Sequence, residues 1–129
     1  MLKALLRIAL GIVAALGIAA IVFWFSPATL ERAYAFAQQD NNPEPPVEIA
    51  QGVYWVGASD VASYAIDTGD GLIVIDGGYT ETAPQVLANL RALGFEPSDV
   101  RILLNTHAHF DHAAGLAAIK AASGAQLYA

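Results

Sequence analysis

The 129-residue sequence predicts an α/β fold, a largely parallel sheet entered through an antiparallel meander, with an apolar helix ahead of it. Three observations carry this expectation. Short runs of β-branched and aromatic residues recur from Val53 onward. The strand-like runs Leu72–Ile75, Val100–Leu104 and the closing AQLYA are each separated by a helical pattern, as right-handed parallel crossovers require. An uninterrupted apolar and glycine run, Ile8–Phe25, precedes them all.

Taken in order, the first element is that run, IALGIVAALGIAAIVFWF. As a helix it would reach ~27 Å, close to the hydrocarbon thickness of a bilayer. Lys3 and Arg7 before it and Phe23-Trp24-Phe25 at its far end fit a cytoplasmic N-terminus and an interfacial aromatic anchor. It has no polar stripe, which argues against a buried core helix. Residues 1–37 therefore read as a signal peptide or a transmembrane anchor of an exported protein, periplasmic or tethered to the inner membrane facing the periplasm. Ala33-Tyr34-Ala35 and Ala35-Phe36-Ala37 both offer a small-x-small cleavage pattern, so cleavage stays open. Residues 38–46, QQDNNPEPP, read as an extended linker, and residues 47–129 as the exported domain.

Charge separates the same pieces. Residues 1–37 carry three basic residues against Glu31, a balance of +2, whereas residues 38–129 carry three against eleven acids, −8. An acidic domain argues against a nucleic-acid partner. The absence of cysteine excludes a disulfide scaffold, thiolate metal sites and thiol catalysis. Any metal must be held by His and carboxylates.

Within the domain, Val53–Val56 and Val61–Ile66 are expected as strands, with a turn at Gly69-Asp70-Gly71 before the continuous apolar strand Leu72–Ile75. That strand stops at Asp76-Gly77-Gly78. Thr82 and Gln85 suggest a capping box with Pro84 in the first turn. Val86, Leu87, Leu90 and Leu93 mark one buried face of the helix, and Gly94 closes it. Strand Val100–Leu104 runs into Asn105-Thr106-His107, and a second helix is expected from about Ala113 to Ala122.

All three histidines lie within His107-Ala108-His109-Phe110-Asp111-His112. In an extended segment residues two apart face the same way, so His107 and His109 can grip one metal. Asp111 adds a carboxylate, and His112, pointing elsewhere, can serve a second metal. Imidazole and carboxylate without thiolate suit Zn²⁺ in a catalytic role. The position, after a strand and before a helix, is where α/β sheets place their chemistry.

These residues resemble the metallo-β-lactamase superfamily, whose signature is H-x-H-x-D-H at a strand end. His107, His109, Asp111 and His112 fill it without substitution, and the likeness spans about residues 47–129. Asp76, after LIVI and before two glycines, matches the family's strand-end Asp, which supports the metal loop from behind. LLNTHAHFDHAAGLAAIKAASGAQLYA, with DGGYTETAPQVLANLRALGF upstream, looks most like the third subclass of the β-lactamases.

The resemblance implies the N-terminal half of an αββα sandwich and two Zn²⁺ per complete domain. His107 and His109 would hold the first, Asp111 and His112 the second. A zinc-bound hydroxide would open the amide of a small-molecule β-lactam, with Asp111 also orienting the nucleophile. Lactone, thioester or phosphoester hydrolysis is the alternative, because the four ligands are shared. The family completes each zinc site with a later His, and none follows His112. The chain is therefore expected to be the front part of a larger hydrolase, inactive alone, or else a silent membrane-tethered half-domain.

Overall fold

The computed structural model describes residues 2–129, with side chains from Ala9 onward. It forms two compact units, Met1–Gln39 and Asp40–Ala129.

The first unit holds α1 (Leu2–Trp24) and α2 (Pro27–Ala37). Phe25 and Ser26 separate them, and Ser26 caps the second. Its Oγ accepts from the Thr29 N–H at 3.3 Å, and Pro27 takes the first turn, where a missing N–H costs nothing. The Thr29 hydroxyl donates back to the Phe23 carbonyl at 2.7 Å. Large apolar side chains from Leu10 to Phe25 are all exposed. Among the described residues no single helix is long and apolar enough to cross a membrane, but Ala9–Trp24 and Pro27–Ala37 together are, bent by 44°. The side chains of Lys3, Arg7 and Ile8, the start of the expected span, lie outside the described residues.

The second unit is built on a six-stranded sheet in the order β1 (Val47–Ala50), β2 (Val53–Trp55), β3 (Tyr64–Asp67), β4 (Leu72–Ile75), β5 (Val100–Leu104) and β6 (Gln126–Tyr128). The first four strands pair antiparallel; β4–β5 and β5–β6 pair parallel. This is the expected α/β order of meander followed by crossovers. Strand β1 was not expected: four residues after two prolines carry too short an alternation to stand out. The expected strand Val61–Ile66 begins only at Tyr64, because Val61 and Ser63 fold back in a tight turn, their carbonyls accepting from Ala58 and Val56.

Two crossover helices, α3 (Ala83–Ala92) and α5 (Leu116–Ser123), cover one sheet face. Val86 and Leu90 of α3, Leu116 and Ile119 of α5, and Ala65, Leu72, Val74, Val100 and Leu103 of the sheet form the core. Gly94, at φ +90°, lets the chain turn so that the Phe95 N–H reaches the Leu90 carbonyl and the Gly94 N–H that of Arg91, a Schellman closure.

The capping box expected at Thr82 does not form. The Thr82 hydroxyl instead accepts from Asn41 Nδ2 at 2.9 Å, and Gln85 Nε2 donates to the Glu44 carbonyl at 3.0 Å. Both side chains hold residues 41–44, part of the segment expected as an extended linker. Ser59 Oγ accepts from the Asn42 N–H at 2.9 Å, and Pro43 bridges Ala58. The boundary between the units thus falls at Gln39/Asp40, inside the segment 38–46.

Candidate metal centre

The site forms where the parallel strands β4 and β5 end. The Asp76 N–H makes the last rung between them, to the Leu104 carbonyl at 2.9 Å. Asp76 then turns left-handed, φ +59°, as no other non-glycine among the described residues does. Such a conformation costs roughly 1–3 kcal/mol, although Asp tolerates it better than most residues. The strain is offset by what the carboxylate, only 4% exposed, receives. The Thr106 N–H donates to Oδ1 at 2.8 Å, the Thr106 hydroxyl to Oδ2 at 2.6 Å, and His112 Nδ1 lies 2.8 Å from Oδ2.

Two glycines let this loop meet the histidine loop backbone to backbone. The Gly77 N–H donates to the His112 carbonyl at 2.8 Å, and the Gly115 N–H to the Gly78 carbonyl at 2.9 Å. A Cβ at Gly77 would stand 2.6 Å from the Leu116 nitrogen, and one at Gly115 would collide with the Gly77 carbonyl. This contact also explains why the expected helix Ala113–Ala122 is split. The Gly115 N–H leaves the helix to bond Gly78, so a short turn α4 (Phe110–Ala113) precedes α5.

That turn corrects the reading of His107–His112 as one extended segment. His109 is extended, φ −68° and ψ 143°, but its carbonyl accepts from the His112 and Ala113 N–H groups, and the chain turns helical at Phe110. His112 therefore does not point away. Its ring centroid is 4.1 Å from that of His107, which is 4.7 Å from that of His109. Asp111 Oδ2 lies 3.6 Å from His112 Nε2. His107, His109, Asp111 and His112 gather in one cluster, with Asp76 buried behind His112. Thr106, which sequence reasoning left unassigned, bonds Asp76 and also stands 3.0 Å from His107 Nδ1. A hydroxyl immediately before the first histidine was the signal available.

In kind these donors fit zinc: imidazole nitrogen and carboxylate oxygen, with an imidazole held from behind by a buried carboxylate. In number they fall short of a closed shell. Among the described residues no group of three or more His, Asp or Glu is placed to hold a metal ion, whereas a catalytic zinc takes three protein ligands.

Parallel strand ends joined by a strained Asp and a histidine-rich turn form the candidate site, and comparison with known proteins gives its family. The sequence profile of the Metallo-beta-lactamase superfamily matches residues 56–129, and the chain belongs to that superfamily. Among solved structures it is similar to MEM-A1, a subclass B3 metallo-beta-lactamase from a soil metagenome library, at 40% identity and TM-score 0.66, over 67% of this chain and 33% of that one. It is similar to FEZ-1 from Legionella gormanii at 46% identity and TM-score 0.65, over 67% and 33% of the two chains. A Cronobacter sakazakii metallo-beta-lactamase described by a HARLDQ motif matches at 39% identity and TM-score 0.70, over 73% and 34%. The chain spans about a third of the length of these structures. The expected likeness to the third subclass and to the N-terminal part of the fold is thereby met.

Proposed function

We propose that this chain carries the metal-binding motif of an exported zinc-dependent hydrolase that opens the amide of β-lactams. The observation that supports it most is Asp76, buried, left-handed, and bonded to both Thr106 and His112 at the strand ends of a superfamily member. His107 and His109 would hold one zinc, Asp111 and His112 a second. Bound there, the metal supplies Lewis acidity and activates water near neutral pH. Asp76 keeps the His112 ring in place, and Asp111, half-buried beside that ring, is the carboxylate that would orient the attacking nucleophile. The apolar α1 with α2 would tether the domain to a membrane, on the periplasmic side.

Each zinc has two donors from this chain, so residues 1–129 alone are expected not to hydrolyse nitrocefin with zinc added. Turnover that EDTA abolishes would contradict this. A chimera continuing residue 129 into the C-terminal two thirds of MEM-A1 is expected to hydrolyse nitrocefin and lose that activity with His107→Ala or His112→Ala. Zinc uptake indifferent to both substitutions would overturn the metal reading. Uptake with cleavage of a lactone, thioester or phosphoester instead would move the substrate class.

A further inference from the structure

We propose that Thr106 is a positioning residue that sets the tautomer of His107, so that one carboxylate, Asp76, orders two imidazoles: His112 directly and His107 through the Thr106 hydroxyl. The argument is one of hydrogen-bond polarity. A carboxylate only accepts, and a hydroxyl has one proton to give. Three contacts converge on Asp76, one of them from the Thr106 N–H, which can only donate. The Thr106 hydroxyl spends its single proton on Oδ2 at 2.6 Å. Toward His107 Nδ1, 3.0 Å away, that oxygen can then only accept, so Nδ1 must carry the ring proton. His112 Nδ1, 2.8 Å from Asp76 Oδ2, must carry one for the same reason.

The consequence is the same at both rings. With Nδ1 protonated, each neutral imidazole keeps its lone pair on Nε2, and the two rings lie 4.1 Å apart, centroid to centroid. A free histidine in water favours the opposite tautomer, with the proton on Nε2, where it would block a ligand. The network therefore prepares two nitrogen donors before any metal arrives, which lowers the reorganisation that binding requires. His109 has no side-chain hydrogen bond of this kind among the described residues. Its tautomer is left to the metal.

This inference rests on the hydrolase reading only for the purpose of the ordered lone pairs. The chain has three histidines, all in this motif, so a ¹⁵N-histidine spectrum of the full-length protein in detergent contains three rings. Long-range ¹H–¹⁵N correlation, with the rings neutral and no metal present, reads each tautomer. His107 and His112 are expected protonated at Nδ1. In Thr106→Val, His107 should shift to the Nε2-protonated form while His112 is unchanged, and Thr106→Ser should restore the wild-type pattern. His107 protonated at Nε2 in the wild type overturns the proposal, with no variant needed. So does a Thr106→Val spectrum in which both rings change or neither does. Zinc titration of the chimera separates the two ideas. Zinc uptake there with His107 protonated at Nε2 in the metal-free state sinks the relay and spares the metal reading; Nδ1 protonation with no zinc uptake sinks the metal reading alone.

Discussion

Strands β4 and β5 present the same kind of side chain on both faces of the sheet, yet the two faces fare differently. Val74 and Leu103 are fully buried under α3 and α5, while Ile75 and Leu104, the next residues along, are only half-buried. The pattern runs across the sheet. Tyr54, Ala65, Val74 and Leu103 stand abreast on the helix side, and Val47, Trp55, Tyr64, Ile75, Leu104 and Tyr128 stand abreast on the other. The second row is as apolar as the first, but α3 and α5 do not cover it. Parallel strands are normally covered on both faces. Side-chain alternation thus records two buried faces, and the fold of this unit buries one.

The sharpest way to break the comparison is Leu103→Ala. Removing a fully buried leucine loses both its transfer energy and the packing around the cavity left, about 2–5 kcal/mol. That is a large part of the roughly 5–15 kcal/mol that holds a typical domain. The urea midpoint, followed by near-UV circular dichroism, should fall steeply. A small change would mean that the helix layer is loosely seated.

Next in size is Asn89→Leu, which tests the edge of the covered face. Asn89 is 3% exposed, and its Nδ2 donates to the carbonyls of Val56 and Glu44, both at 3.0 Å. Leucine has the same branching with somewhat more bulk and leaves those carbonyls without this donor, at a cost of about 1–3 kcal/mol. Faster hydrogen exchange of the Ser59 N–H, which bonds the Asn42 carbonyl, should accompany the loss, since residues 41–44 are held through the same side chains. Unchanged exchange there would show that Thr82 and Ser59 suffice to hold the segment.

These two sites differ in how visible they are in the sequence. Leu103 is legible because LIVI is a continuous apolar run and VRILL is broken only by Arg101, and both strands fall where expected. Their chemistry is local. Asn89 is not legible, because its partners lie more than thirty residues away. Thr82 and Gln85 mislead for the same reason: a capping box is the best local use of that spacing, and Asn41 and Glu44 offer something better from a distance.

The metal site divides along the same line. The four signature residues could be named as candidate ligands from their spacing, since a cluster within six residues depends on few distant contacts, whereas Asp76 could be named only through the family resemblance. The direction of His112 could not be read from spacing. It follows from a helical turn at Phe110, which in turn depends on the Gly77–Gly115 contact made across the crossover. Thr106 escaped notice because its role exists only once β4 and β5 bring Asp76 beside it, at a sequence separation of 30 residues.

The smallest expected effect lies on the open face and decides what that face is. Ile75→Thr keeps a β-branched side chain, so strand preference is little changed, and the half-exposed position loses modest burial. Stability should fall by less than about 1 kcal/mol, close to the range of surface substitutions, with a correspondingly small shift of the urea midpoint. Binding of a hydrophobic dye should drop, because Ile75 sits between Tyr64 and Leu104 at the centre of the exposed row. Leu103→Ala should differ on both counts, lowering the midpoint steeply and raising dye binding as the core loosens. If Ile75→Thr instead costs as much as Leu103→Ala, and the wild type binds no dye, then another surface closes this face in solution. The two faces would then be equals, each buried by a different layer.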